Sequence, residues 1–191
     1  MNAPLRIVGI AGSLRRQSYS RIVLRTVLDD LMPGASTSEL DPAQFPLYSE
    51  DIEHEALPGY VSLARAEVTS ADVVVIVTPE FNHGIPGVLK NALDWLSRPA
   101  FASCMAHKPV IFMSIGRALG GVRAQYQLRE TLASMHCRLA PLPEIVFSHI
   151  EQKVSEGKLT DTVSLQFLAA QIEQTLDFAQ SSHAASNAER A

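Results

Sequence analysis

Residues 73–95 read Val73-Val74-Val75-Ile76-Val77-Thr78-Pro79-Glu80-Phe81-Asn82-His83-Gly84-Ile85-Pro86-Gly87-Val88-Leu89-Lys90-Asn91-Ala92-Leu93-Asp94-Trp95. Its opening five β-branched residues are too short a run for a helix and lack the polar alternation of a half-exposed strand. They predict a strand buried on both faces, in a parallel sheet covered by helices. Pro79 ends that strand, and Pro86 sits where the first turn of a helix tolerates it; Val88, Leu89, Ala92, Leu93 and Leu96 then recur at helical spacing as one apolar stripe. The loop between, Glu80 to Gly84, lies at the carboxyl end of a central parallel strand, where doubly wound sheets bind their ligands. Taken alone, the loop reads equally well as an ordinary connection.

Working outward, Leu5 to Ala11 is a second buried strand that runs into Gly12-Ser13-Leu14-Arg15-Arg16-Gln17-Ser18-Tyr19-Ser20 and then a helix carrying Val23, Leu24, Val27, Leu28 and Leu31, ended by Pro33-Gly34. Ser36 to Leu40 predicts a weaker strand, 41–51 a structured loop, and Pro58 to about Ser70 a helix. Val110 to Ile115 is a fourth strand, and Gly120-Gly121 opens a helix with Ala124, Leu128, Leu132 and Met135 on one face. Leu139 to Phe147 holds a fifth strand, its early part confined by Pro141 and Pro143 to an edge or a bulge. His149 to Asp161 reads as a loop, the last helix has a clean apolar period through Ala179, and Ser181 to Ala191 reads as a frayed tail. Strands alternating with helices predict a parallel α/β sheet in a three-layer sandwich.

Composition narrows the function. At 191 residues, 47% hydrophobic and 19% charged, the chain suits one globular domain burying about 70% of its unfolded surface. A net charge of -4 gives no clustered excess of cations for nucleic acid. Apolar runs of strand length cannot span a bilayer, and the start, Met1 to Arg6, has no basic region followed by an apolar signal core. The expectation is a soluble, cytoplasmic protein with neither nucleic-acid nor membrane partners. Cys104 and Cys137 form no CxxC and suggest no disulfide framework. The six histidines show no HxH, HxxxH or HExxH spacing, so no metal site is expected; no GxSxG elbow appears.

The second informative stretch is the loop after the first strand. Backbone N–H groups at a helix start attract anions, and Ser13, Arg15, Ser18 and Ser20 add hydroxyls and a guanidinium suited to a phosphate dianion. GxxxxGK[ST] and GxGxxG are both absent, which favours a terminal monophosphate over a triphosphate or a dinucleotide. The competing reading makes Ser18 or Ser20 a helix cap and Arg15 and Arg16 solvated charges. A strand order of 2-1-3-4-5 brings the ends of the first, third and fourth strands together at the switch point. There Ser13 to Ser20 would take the phosphate, while Pro79 to Gly84 and Ser114 to Gly121 flank a planar ring.

The sequence resembles the NAD(P)H-dependent FMN reductase family, including the flavodoxin-like quinone and chromate reductases. The resemblance rests on Gly12-Ser13-Leu14-Arg15 with Ser18, on Pro79-Glu80-Phe81-Asn82 with Pro86, Leu89 to Ala92 and Asp94 to Arg98, and on Gly120-Gly121-Val122-Arg123. It implies a flavodoxin-like domain over 1–180, with 181–191 as a disordered tail. It implies FMN as cofactor, with NADPH or NADH as electron donor and a quinone, a metal oxyanion or a dye as acceptor. The cofactor-binding residues are then Ser13, Arg15, Arg16, Ser18, Tyr19, Ser20, Pro79, Glu80, Phe81, Asn82, His83, Ser114 and Gly116, with no catalytic side chain because the cofactor carries the chemistry. Phe81 stands where Tyr is common and Ser20 where Asn is frequent. Dimers or tetramers are also implied, with Arg123, Tyr126 and Glu144 as residues that would meet across a two-fold axis; Trp95 and residues 98–103 are expected to leave apolar surface exposed there. The functions to be separated are a reductase, a flavodoxin-like one-electron carrier, and a flavin-binding module without turnover.

Overall fold

The computed structural model describes residues 3–188. β1 (Arg6–Ala11) leads to α1 (Tyr19–Arg25), which continues as a wider π-type turn over Thr26–Leu31, and then to β2 (Ser36–Leu40). A 3-10 turn at Pro42–Gln44 and the short α2 (Glu50–Glu55) occupy the proline-bearing loop. After these come α3 (Gly59–Ser70), β3 (Val73–Pro79), α4 (Gly87–Leu96), β4 (Val110–Ile115) and α5 (Val122–Ser134). The chain closes with β5 (Ile145–Phe147), a single turn α6 (Ile150–Lys153), a small hairpin of β6 (Val154–Ser155) and β7 (Lys158–Leu159), and α7 (Thr162–Ala188). The first five strands form one parallel sheet in the order β2-β1-β3-β4-β5, the flavodoxin-like topology expected from the sequence.

Strand alternation divides the core into two. Val8, Ile10, Val74, Ile76, Val110 and Phe112 face α3, α4 and α5, which supply Val61, Val68, Leu89, Leu93 and Leu128. Ile7, Ala11, Val73, Val75, Val77, Ile111 and Met113 face α1, its π-type continuation and α7, which supply Val23, Leu24, Val27, Leu168 and Ile172. A strand covered on both sides has no polar face to show, and for that reason β3 reads as an unbroken β-branched run.

Three expectations are corrected. The fifth strand begins at Ile145, not Leu139; Pro141 and Pro143 offer no N–H to the edge of β4, and only Met113 to Ile115 pair with it. Residues 149–161 are not a loop throughout, since they hold α6 and the β6–β7 hairpin, whose Thr160 N–H donates to the Lys153 carbonyl. Trp95 is fully buried. It packs edge-on to Tyr48, and its indole N–H donates to the Pro46 carbonyl at 2.7 Å. An indole that finds an acceptor inside the fold has no need of a partner subunit. Of the expected tail over 181–191, residues 189–191 lie outside the described residues, and the backbone of α7 runs through Ala188.

Candidate cofactor site

The loops after β1, β3 and β4 meet above the carboxyl ends of those strands, at the point where the strand order reverses. They enclose a cleft of about 580 Å³ lined by Arg15 and Tyr19 from the first loop, Pro79 and Glu80 from the second, and Ile115 to Gly121 from the third, with Ile150 and Glu151 closing one side. Among the described residues this brings together Arg15, Tyr19, Pro79, Glu80 and Gly116 of the residues expected from sequence. Arg117, Ala118 and Leu119 lie within the stretch Ser114 to Gly121 expected to flank a ring, whereas Ile150 and Glu151 were not foreseen. The last two follow β5, a strand too short to mark its own end.

The first loop is built by serines. Ser13 is buried, and its Oγ accepts from the Arg15 N–H at 3.3 Å, turning the chain so that Arg15 and Arg16 stand exposed. Ser18 caps α1, its Oγ accepting from the Arg21 N–H at 3.2 Å. Ser20 is fully buried with its hydroxyl 3.2 Å from that of Ser18. The capping reading of Ser18 therefore holds, and Ser20 supports the cap from behind. Gly12, whose N–H donates to the Val77 carbonyl at 2.8 Å, ties the loop to the neighbouring strand.

The second loop is a tight hairpin. Phe81 and Gly84 exchange backbone hydrogen bonds at 3.0 and 3.1 Å, and the two residues between them, Asn82 and His83, both take positive φ, 48° and 67°. That is the two-residue turn whose twist matches paired strands. Asn82 tolerates the left-handed region better than most side chains. Phe81, Asn82 and His83 are exposed at the rim.

The third loop approaches the cleft as bare backbone. A Cβ on Gly116 would lie 2.9 Å from the Gly121 nitrogen, and one on Gly120, at φ 61°, would lie 2.5 Å from Val146 and 2.9 Å from the Ser148 nitrogen. Only glycine leaves this wall flat and close to β5. Ser114 is fully buried and donates its hydroxyl to the Gly120 carbonyl at 3.0 Å, so its side chain holds the loop and does not face the cleft. Two acceptors pin the second loop to α5: Glu80 Oε2 takes the Arg123 N–H at 3.0 Å and the Ala124 N–H at 3.3 Å, and Gln127 Oε1 takes the Ile85 N–H at 2.7 Å.

The family of NADPH-dependent FMN reductases matches residues 5–152. The chain is 36% identical over 186 residues to a quinone reductase of Escherichia coli (strain K12), covering 94% of this chain and 98% of that protein. It is 32% identical over 174 residues to an NAD(P)H-dependent FMN reductase of Pseudomonas aeruginosa, covering 91% and 94%. Its fold superposes on a flavoenzyme NAD(P)H:(acceptor) oxidoreductase from Paracoccus denitrificans with a TM-score of 0.76 at 26% identity, covering 93% of this chain and 98% of that one.

Proposed function

Because this chain belongs to the NADPH-dependent FMN reductase family, we propose that it binds FMN without a covalent link in the cleft above β1, β3 and β4 and spends NAD(P)H to reduce a quinone. The observation that carries the reading is the meeting of three loops around about 580 Å³ with a wall of glycine backbone on one side. The volume lies within the range of cofactor pockets, and a wall without Cβ atoms suits the flat face of a ring. In this reading Ser13 to Ser20 hold the phosphate, with Arg15 as the charged ligand and Arg16 beside it. Pro79 to His83 and Gly116 flank the ring, and Ser114 fixes the third loop.

When bound, FMN supplies the acceptance of hydride and the later delivery of electrons. The protein's part is placement: Arg15 offsets the phosphate charge, the glycine wall sets the distance of approach, and the hairpin limits access from one side. We assign no acid or base among the cleft side chains. Phe81 and Leu119 expose apolar surface at the rim, 54% and 60% exposed, which supports a flat, apolar acceptor such as a quinone over a metal oxyanion or a charged dye. A nicotinamide donor fits a cytoplasmic setting; no helix among the described residues is long and apolar enough to cross a membrane.

The test is direct. Purified protein should carry a flavin absorbance that denaturation releases as free FMN, and should oxidise NADPH or NADH faster when benzoquinone is present. One cleft serving both substrates in turn predicts parallel double-reciprocal lines. Protein that neither binds FMN nor oxidises either nicotinamide would overturn the reading.

A further inference from the structure

Helix α5 starts on Gly121, a left-handed residue with no side chain to offer the first free N–H groups of the helix. The acceptor comes instead from a residue 43 positions earlier in the chain: one carboxylate oxygen of Glu80 takes the N–H of Arg123 at 3.0 Å and lies 3.3 Å from that of Ala124. The other oxygen lies 3.5 Å from His83 Nδ1, and the Arg123 guanidinium meets the same histidine nitrogen. The Glu80 side chain is only 17% exposed. Glu80 lines one side of the cleft and Gly120 and Gly121 another, so this carboxylate links the two loops beyond the last β3–β4 pair, Pro79 with Ile115.

We propose that Glu80 is a positioning residue for the cofactor: it fixes the spacing of the β3 and β4 loops, and its charge, set against the positive end of α5, keeps the reduction potential of the bound flavin low. The first half stands on the geometry alone; the second rests on the FMN reading above. A helix N-terminus carries roughly half a positive charge, which favours a flavin that gains negative charge on reduction. A carboxylate on the same N–H groups opposes that effect at short range.

Two substitutions separate spacing from charge. Glu80→Gln keeps a carbonyl oxygen to accept the helix N–H groups while removing the charge. It should leave amide exchange at residues 123 and 124 of the apo-protein within about threefold of wild type, hold FMN affinity, and move the midpoint potential of bound FMN to a more positive value. Glu80→Ala removes both, and should speed exchange of those two amides at least tenfold and weaken FMN binding about tenfold. Unchanged exchange in Glu80→Ala would overturn the spacing role, and an unchanged or more negative potential in Glu80→Gln would overturn the charge role. If the Ala variant fails to fold, Glu80→Gln still decides the second. A wild-type protein that binds no FMN would sink the cofactor reading and the potential with it, while the exchange result would still decide the spacing role.

Discussion

Arg15 carries a larger share of the proposed phosphate energy than its neighbours, because of where the serines point. Ser18 is occupied in capping α1 and Ser20 in supporting Ser18, so the guanidinium of Arg15, which lines the cleft as Arg16 does not, is the strongest charge-assisted donor there. Such bonds are worth about 1.5 to 3 kcal/mol each. Arg15→Ala should therefore raise the FMN dissociation constant about tenfold or more while leaving riboflavin affinity and the melting temperature unchanged, as a fluorescence titration with both flavins will check. Equal losses for the two flavins would remove Arg15 from the phosphate. The cysteines take no part: burial pushes the Cys104 thiol up to about 11 and the Cys137 thiol up to about 12, so both stay protonated near neutrality. Much of this site was legible in sequence, since local patterns of serine, arginine and glycine mark a turn and its donors. What escaped is long-range: no spacing rule reveals that Glu80 caps a helix 43 residues on, or that Ser114 turns inward to the Gly120 carbonyl.

The C-terminal helix shows the same contrast at the scale of elements. Its buried face is periodic and readable, but its start is set by Asp161. Asp161 Oδ2 accepts from the Ser164 N–H at 2.9 Å and from Lys153 Nζ at 3.0 Å. Those hydrogen bonds, Ser164's foremost, hold the carboxyl down at about 2 against an ordinary 3.8. A depressed carboxyl stabilises the fold above its unfolded value and loses that contribution as pH falls through the folded one. Asp161→Asn should thus melt at a lower temperature than wild type at pH 7, with the gap narrowing below about pH 4 and closing near pH 2. Thermal melts across that range will check it, and a gap independent of pH would refute it. The two-residue strands β6 and β7, which place Lys153 against Asp161, were invisible because two residues carry no periodicity. β1, β3 and β4 were plain because strands buried on both faces leave continuous apolar runs.

At the scale of the whole molecule, we propose a homo-oligomer from the exposed apolar side chains. Trp95 is not part of that argument, being core, but Phe101 beside it in sequence is 83% exposed, Leu47 82% and Tyr126 55%. Phe101 lines a second hollow of about 280 Å³ between α4, with Lys90 and Asp94, and the end of α5, with Thr131 and Ser134, and Leu47 stands next to Tyr48, whose N–H is bound by Asn91 of α4. Phe81 at the cleft rim is 54% exposed as well, and a second copy that covered it would wall the cleft. Of the three residues suggested for a further interface, Glu144 is already held by Arg129 at 3.0 Å and Gln125 at 3.1 Å in its own chain, and Arg123 is tied to His83. Tyr126, exposed on α5, offers the cleaner probe, since its loss should not disturb the monomer. Light scattering on a sizing column should show wild type as a dimer or tetramer at micromolar concentration. Tyr126→Ala should shift a tetramer toward dimers and Phe101→Asp a dimer toward monomers, each with an unchanged far-ultraviolet spectrum. A wild type that is strictly monomeric, flavin-loaded and fully active would show that one chain completes the cleft by itself.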